Sequence, residues 1–326
     1  MRQAGAEELR GELRSTEALS AAGISERGVA RDVASGSLVR VHRGWYLHGA
    51  LWQELWPESR HLAHVLAVSL SARGSDPLFC LVSAACLWGL PLYRITPRRV
   101  HVYSRNVDRH STPDVLRHEG GVPDHDIAER HGLRCTSLAR TVYDLARMLP
   151  AEAGLAAADA ALASVGGDPR AFDDDRADAL KADLDRRTTA RAVRGIRRAR
   201  EVLALSDGRA QLPLESVARL QLVRLGFQRP RLQVPVADPH GGSYWIDIAL
   251  DDVEAFCEVD GQTKYLDEAL RSGRSLEQVL LDEKQREDWI RGVAQRRMAR
   301  VGDVHVRDLG ALRIRLAAFG IRPRRG

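Results

Sequence analysis

The chain has 326 residues, of which 44% are hydrophobic, and it carries a net charge of +5 at neutral pH. This length and composition predict about two or three domains with sizeable cores. Because no apolar run is long enough to cross a bilayer and the polar start lacks a secretory signal, we expect a cytoplasmic protein with no membrane partner. The basic balance is compatible with nucleic acid as a partner.

The first predicted unit, residues 1–52, contains three short helices followed by a β-ribbon. Ser15 and Ser25 are placed to cap the second and third helices, and Gly36 to end the third. This order is typical of a winged helix-turn-helix, whose third helix enters the major groove. The arginines expected to contact DNA are Arg27, Arg31, Arg40 and Arg43. A helical hairpin with a solvated ribbon, or a protein-interaction module, would produce the same pattern.

The second predicted unit, residues 53–165, is a mixed α/β region. It contains amphipathic and buried helices around the strand "RRVHVYS". Its histidines match no metal-ligand spacing, so we expect them to lie on the surface. The cysteines form no paired motif and have apolar neighbours, which predicts small core residues. Residues 166–210 are rich in charge and alanine, which predicts a connector of solvated helices.

The third predicted unit, residues 211–326, has the element order αβββαβα. A helix begins near Pro213, three strands cover "RLQVPVAD", "SYWIDIAL" and "VEAFCEVDG", and a helix follows. The last strand is predicted at "DVHVRDLG" and the final helix at "ALRIRLAAFG".

The second and third of these strands carry carboxylates that are costly to bury without a partner. In a hairpin with a four-residue loop, Asp247 lies directly opposite Glu258. With a two-residue loop, Asp247 lies opposite Phe256 and Glu258 becomes its diagonal neighbour. In both registers the two carboxylates share one face, roughly 5–8 Å apart, and Asp260 shares it too.

A divalent cation is one partner that would compensate these carboxylates. Mg²⁺, or Mn²⁺ in its place, takes oxygen ligands, activates water and stabilises charge on a phosphoryl group. Lys264 could reach back to orient the water, and Glu215 on the preceding helix could supply a further carboxylate. Ion pairs with Arg219 or Arg286 are the alternative that the sequence leaves open.

A family resemblance rests on these residues together with their neighbours. The chain carries Leu214-Glu215-Ser216, Leu232-Gln233, Pro235, Asp247, Glu258, Asp260-Gly261 and Arg286-Glu287-Asp288. This series resembles the PD-(D/E)XK nuclease superfamily, and more specifically the very-short-patch-repair endonuclease-like domain of the actinobacterial type. The resemblance covers about residues 205 to 310 and implies metal ligation by Asp247 and Glu258.

The family pattern has lysine two residues after the glutamate, whereas this chain has Asp260 there. Either Lys264 or Lys284 takes its place, or the site is degenerate. Tyr265 lies where repair endonucleases of this kind carry a histidine.

The N-terminal half resembles a second family. "GISERGVARDVASGSLVRVHRGWYL" is similar to the winged helix of AbiEi-type antitoxins of type IV toxin–antitoxin systems, and "SAACLWGLP" and "TSLARTVYDLAR" to the antitoxin-like region that follows it. This resemblance implies a DNA-binding regulator.

Together these patterns predict an α+β, multidomain protein: a winged helix-turn-helix, a mixed α/β middle region and a restriction-endonuclease-like domain. The favoured function is Mg²⁺-dependent hydrolysis of DNA phosphodiester bonds, with Asp247, Glu258, Lys264 and Glu215 as catalytic residues. The alternatives are a non-enzymatic transcriptional regulator with a degenerate nuclease fold, and an antitoxin that binds a cognate toxin.

Overall fold

The structure is a computed structural model, and it describes residues 1–72, 76–104, 110–189, 193–260 and 275–324. Their contacts divide the chain into two compact units. The first comprises Met1–Leu149 and Arg186–Ala199, and the second comprises Pro150–Asp185 and Arg200–Gly326. Within these residues the helices and three separate sheets form a mixed α/β structure, which confirms the predicted fold class in its general form. The finer domain boundaries proposed from sequence remain predictions.

The first unit begins with short helices and a small sheet. Its helices are α1 (Ala6–Glu12), α2 (Thr16–Ala21), α3 (Glu26–Ser35), α4 (Gly49–Glu54), α5 (Pro57–Ser71), α6 (Leu81–Leu87) and α7 (Leu138–Met148). Strands β1 (Arg14–Ser15), β2 (Leu38–His42) and β3 (Trp45–His48) form an antiparallel sheet in the order β1-β3-β2. Leu19, Val29, Leu38 and Tyr46 bury a common apolar cluster between the helices and this sheet.

The predicted helix ends in this region are confirmed. The Ser15 hydroxyl accepts a hydrogen bond from the Ala18 amide, and the Ser25 hydroxyl accepts one from the Gly28 amide. Gly36 ends α3 in the left-handed conformation that glycine adopts readily. Local sequence signals therefore place these helices correctly.

A five-stranded sheet completes the first unit. It contains β4 (Leu78–Phe79), β5 (Val100–Ser104), β6 (Val115–Glu119), β7 (Ile127–Arg130) and β8 (Leu133–Thr136), in the order β6-β5-β4-β8-β7. The sequence predicted the strand at β5, but it did not predict β4, β6 or β7. These strands are short and carry few consecutive apolar residues, so local pattern gives them little weight.

The second unit contains a four-stranded sheet with helices around it. Strands β9 (Arg231–Ala237), β10 (Ser243–Leu250), β11 (Ala255–Asp260) and β12 (Arg297–Gly302) lie in the order β12-β11-β10-β9. Neighbouring strands are antiparallel, except β11 and β12, which are parallel. The helices are α8 (Ala151–Gly166), α9 (Asp174–Thr188), α10 (Ile196–Leu205), α11 (Pro213–Arg224), α12 (Leu276–Ala294), α13 (Asp303–Val306) and α14 (Leu309–Ala318), of which α9 and α10 cross unit boundaries along the chain.

The predicted position of the last strand is wrong. The strand is Arg297–Gly302, whereas the predicted "DVHVRDLG" begins with the short helix α13. Met298, Ala299 and Val301 are buried against β11, and the Gly302 amide donates to His305 Nδ1 to start the helical turn. The alternating valines after Gly302 resemble a strand in the sequence, but the position beside β11 is already occupied by Arg297–Gly302.

The connector is less solvated than the sequence predicted. Leu184 in α9 and Val202 and Leu203 in α10 are buried, although most of their neighbours are exposed. All four cysteines are unpaired and buried, as predicted. Every described helix is either too short or too polar to span a lipid bilayer.

Candidate functional site

The β10–β11 hairpin has the four-residue connection, residues 251–254. Its pairing runs through Leu250 opposite Ala255, Ala249 opposite Phe256 and Ile248 opposite Cys257. Continued by one position, this register puts Asp247 opposite Glu258. Since side chains alternate along a strand, both carboxylates project from the same face of the sheet, as predicted for either loop length. The structure therefore decides between the two registers.

Both carboxylates are buried, with only 5% of Asp247 and 4% of Glu258 exposed. Asp247 Oδ2 accepts a hydrogen bond from the backbone amide of Val259, 2.8 Å away. Burial first, and then the Asp247 and Glu258 charges, raise the pKa of the Cys257 thiol, which neighbours Glu258 in the chain. Asp247 and Glu258 therefore form one region of concentrated negative charge on two neighbouring strands.

Arg286 of α12 is the protein's own compensation for this charge. Its guanidinium donates to Glu258 Oε1 at 3.2 Å, to the Trp245 carbonyl at 2.7 Å and to Glu283 Oε1 at 3.0 Å. Burial opposes its positive charge, but the carboxylates of Glu258, Glu283 and Asp247 outweigh burial and raise the pKa of Arg286. Of the two arginine partners that the sequence left open, Arg286 is the one at Glu258.

Arg219, the other candidate partner, pairs elsewhere. It lies on α11 and donates to Asp159 Oδ2 of α8 at 2.6 Å, and both side chains are buried. Burial raises the pKa of Asp159 even though Arg219 acts in the opposite direction. This ion pair connects two helices of the second unit and does not reach the strand carboxylates.

A second arginine lies close to Asp260, the residue at the position where the nuclease pattern has lysine. Arg300 of β12 approaches Asp260 Oδ2 to 3.9 Å and contacts Glu283 at 2.5 Å and Glu287 at 2.9 Å. Arg286 and Arg300 thus share Glu283, and a network of ion pairs with α12 lies beside the acidic residues of the sheet.

Glu215 is buried at the start of α11, where the positive end of a helix favours a carboxylate. Its Oε2 accepts from the Gln211 amide at 2.9 Å and lies 3.5 Å from Gln233 Nε2. Within the described residues, Glu215 does not join Asp247 and Glu258 in a set of three ligand atoms at metal-binding spacing. Its predicted contribution to a metal site therefore requires an intervening group, such as a bridging water.

Gln233 is a neighbour of this site, and its backbone conformation could not have been predicted from the sequence. It lies in β9 with φ +48°, a left-handed conformation that is uncommon for a residue with a side chain. Val234 pairs with Ile246 and Leu232 with Ile248, so Gln233 lies opposite Asp247. A strained residue at such a position is typical of functional sites.

The sequence offered Lys264 or Lys284 as the catalytic lysine. Lys264 lies outside the described residues. Lys284 is on α12 and exposed.

The four arginines predicted to contact DNA are all exposed: Arg27, Arg31, Arg40 and Arg43. Arg27 and Arg31 lie one turn apart on α3, and Arg40 and Arg43 lie on β2 and in the turn after it. The side chain of Arg31 is 78% exposed and lies 3.4 Å from the Asp32 carboxylate. The charges are therefore available to a partner.

The prediction of surface histidines is wrong for several of them. His61 is buried and hydrogen-bonded to Ser83, and His101 contacts His118 at 3.0 Å in a part-buried pair. Burial lowers the pKa of His61 to about 3 and that of His64 to about 4. The spacing of His61 and His64 on the apolar face of α5 is the signal that could have revealed their burial.

His64 belongs to a cluster that sequence reasoning missed. Together with His42 and Asp114 it forms a set whose ligand atoms all lie within 4.8 Å of one another. The three residues come from distant segments of the first unit, so no local spacing motif could have revealed them.

No known family profile matches the chain. It is similar to two Mycobacterium tuberculosis proteins, "Uncharacterized protein MT2308" of strain CDC 1551 / Oshkosh and "Uncharacterized protein Rv2248" of strain ATCC 25618 / H37Rv. Each is 29% identical over 230 residues, which cover 70% of this chain and 75% of the relative. Neither name states an activity.

Proposed function

We propose that this protein binds DNA and that its second unit hydrolyses phosphodiester bonds with the help of Mg²⁺ or Mn²⁺. The observation that carries the proposal is the opposed pair of buried carboxylates, Asp247 and Glu258, on adjacent strands of the mixed sheet. Two buried acids on one face are costly unless a cation compensates them, and Arg286 contacts only one of the two directly. The resemblance to PD-(D/E)XK nucleases assigns the same two residues to metal ligation.

The donor set fits a hard divalent cation. Mg²⁺ is usually held by one or two carboxylates, with water and substrate phosphate completing its coordination. Asp247 and Glu258 supply such a pair, and Asp260 follows on the same face. When bound there, the cation would lower the pKa of a coordinated water and stabilise negative charge on the phosphoryl group.

The chain's own residues have distinct tasks in this proposal. The Val259 amide holds Asp247 Oδ2 in place, so this carboxylate is oriented before any ligand binds. Arg286 holds Glu258 and neutralises it in the free protein. Glu215 acts at a distance through a water, and Lys264 is the candidate to orient the attacking water.

DNA binding is assigned to the first unit. A helix, a short strand, two further helices and a β-ribbon follow one another, an order typical of a winged helix, and the exposed Arg27 and Arg31 lie on the third helix. We propose that α3 enters the major groove and that Arg40 and Arg43 contact phosphates. The resemblance to AbiEi-type antitoxins supports the same assignment.

A second candidate function is a regulator that binds DNA without cutting it. The specific observation in its favour is that protein cations already lie at two of the three acidic residues on this face, Arg286 at Glu258 and Arg300 near Asp260. A site compensated in this way needs no metal for stability. Such a protein would bind a promoter, or a cognate toxin, through the first unit.

The decisive experiment follows the conversion of supercoiled plasmid to open circle with Mg²⁺, Mn²⁺ or a chelator. We expect the wild-type protein to nick DNA only with a divalent cation, and Asp247→Asn to reduce the rate about 100-fold or more, because a lost metal ligand is worth several kcal/mol. The asparagine oxygen still accepts from Val259, so the fold is retained.

The matched control is Asp178→Asn, which makes the same charge change at an exposed position of α9. It should nick like the wild type. Equal nicking by Asp247→Asn and the control would reject the proposed site. Absence of any divalent-dependent nicking, together with salt-sensitive DNA binding, would establish the second candidate instead.

A further inference from the structure

Three side chains of the first unit converge although they are far apart in sequence. His42 is the last residue of β2, His64 lies in α5, and Asp114 immediately precedes β6. Asp114 Oδ2 lies 2.5 Å from His42 Nδ1 and 3.9 Å from His64 Nε2. The imidazole centroids of the two histidines are 5.8 Å apart.

The contacts of these groups leave one of them unsatisfied. His64 Nε2 is buried without a hydrogen-bond partner, since 3.9 Å to Asp114 is too long for a hydrogen bond. A buried polar atom of this kind is uncommon and calls for a ligand or a functional reason. Its lone pair lies near the carboxylate and the other imidazole, which is the arrangement that a shared cation would satisfy.

A supporting contact orients the carboxylate. Thr112 Oγ1 donates to Asp114 Oδ1 at 2.8 Å and in turn accepts from the Val115 amide at 3.1 Å. Ligating carboxylates in metal sites are commonly held by such outer hydrogen bonds. This arrangement leaves Asp114 Oδ2 directed to the two histidines.

The cluster opens into a cavity of about 820 Å³. His42 and Asp114 line it together with Thr112, Arg43 and Arg117. Three protein ligands beside an accessible cavity are typical of zinc sites that keep a coordination position for water or an anion.

We propose that His42, His64 and Asp114 form a binding site for a transition-metal dication of the Zn²⁺ class. Two imidazole nitrogens with one carboxylate oxygen suit Zn²⁺, whereas Mg²⁺ prefers ligands that are all oxygen. The site is independent of the carboxylate pair proposed for DNA hydrolysis, and its ligands come from the other unit.

The alternative is that a proton, and not a metal ion, lies between His42 and Asp114. In that case His42 and Asp114 form an ion pair and His64 is a buried neutral side chain, with no metal affinity beyond that of surface histidines. Metal uptake distinguishes the two cases.

The test uses the full-length Asp247→Asn protein, so that the carboxylate site cannot account for binding. After chelator treatment it is dialysed against Zn²⁺, and bound metal is measured by mass spectrometry. We expect one Zn²⁺ per chain. In the same background, His64→Gln and His42→Gln should each weaken binding about 100-fold or more, because even outer contacts of metal ligands are worth 10–100-fold.

The matched control is His125→Gln, since the side chain of His125 is 76% exposed. It should bind Zn²⁺ like its parent. Replacing Zn²⁺ by Co²⁺ should give the visible absorption of a nitrogen-ligated tetrahedral ion, which disappears in His64→Gln. No stoichiometric Zn²⁺ uptake by the parent, or equal uptake by His64→Gln and the control, would overturn the proposal, and neither outcome depends on nicking.

Discussion

At the scale of single residues, buried charge is the main feature of the second unit. Glu258 is compensated by Arg286, and Asp159 by Arg219. The Arg219–Asp159 pair is the more completely buried, with 3% and 1% of the side chains exposed. Asp159 also accepts from the Asp207 amide at 2.8 Å, so its position depends on several contacts.

We predict that Arg219→Met destabilises the second unit by about 3–5 kcal/mol, because it leaves Asp159 buried without its cation. Burial already raises the pKa of Asp159, and loss of Arg219 raises it further. The protonated acid is tolerated, so the loss of stability should grow as the pH rises from 5 to 8. Hydrogen exchange of the α8 and α11 amides measures it.

The control is Arg224→Met, which removes the partner of Glu152. The side chains of that pair are 31% and 26% exposed, so the expected loss is below about 1 kcal/mol. If both variants lose the same free energy of unfolding, burial does not make the Arg219–Asp159 pair more important for stability than the exposed pair.

At the scale of elements, close backbone approaches fix the connections between helices and strands. Gly49 begins α4 directly after β3, and its amide donates to the Ser37 carbonyl at 2.8 Å. A Cβ at Gly49 would lie 1.8 Å from the Gly36 carbonyl oxygen, which is far inside van der Waals contact. The β2–β3 ribbon therefore depends on a residue without a side chain at this point.

We predict that Gly49→Ala lowers the melting temperature by several degrees and destabilises the first unit by about 1–3 kcal/mol, as overpacking against backbone does. Gly11→Ala in α1 is the matched control, because a Cβ there meets nothing within 4 Å. In a helix, alanine is favoured over glycine, so this variant should be neutral or stabilised. Calorimetry of both proteins checks the difference, and unchanged melting of Gly49→Ala would contradict the described backbone.

At the scale of the whole molecule, the two units carry different chemistry. The first exposes arginines along α3 and the ribbon, whereas the second buries acidic residues on the two central strands of its sheet. The net charge of +5 favours association with a polyanion, but the distribution of arginines decides where contact occurs. If the first unit binds DNA, removing arginines from that unit should weaken DNA binding, whereas removing the same charge from the second unit should not.

We predict that the double variant Arg40→Gln, Arg43→Gln binds DNA more weakly and with a shallower salt dependence. Each lost phosphate contact lowers the slope of log K against log salt by about 0.9, so the double variant should lose about 1.8. Fluorescence anisotropy over a range of salt concentrations measures the slope. The control, Arg307→Gln with Arg313→Gln, removes the same charge from exposed positions of the second unit and should leave the slope unchanged.

The sequence alone determined features that depend on neighbours along the chain. The caps at Ser15 and Ser25, the glycine end of α3, the order of elements around the β9–β11 strands and the shared face of Asp247 and Glu258 all follow from local periodicity and capping chemistry. These features need only a few consecutive residues to be specified.

Only the tertiary structure decided which distant groups meet. It selected Arg286 over Arg219 as the partner of Glu258, put the last strand at Arg297–Gly302, and brought His42, His64 and Asp114 together. From the sequence alone, several arginines are equally good candidates to form an ion pair with a given acidic residue. The choice among them depends on which helix packs over which face, and packing is a property of the whole fold.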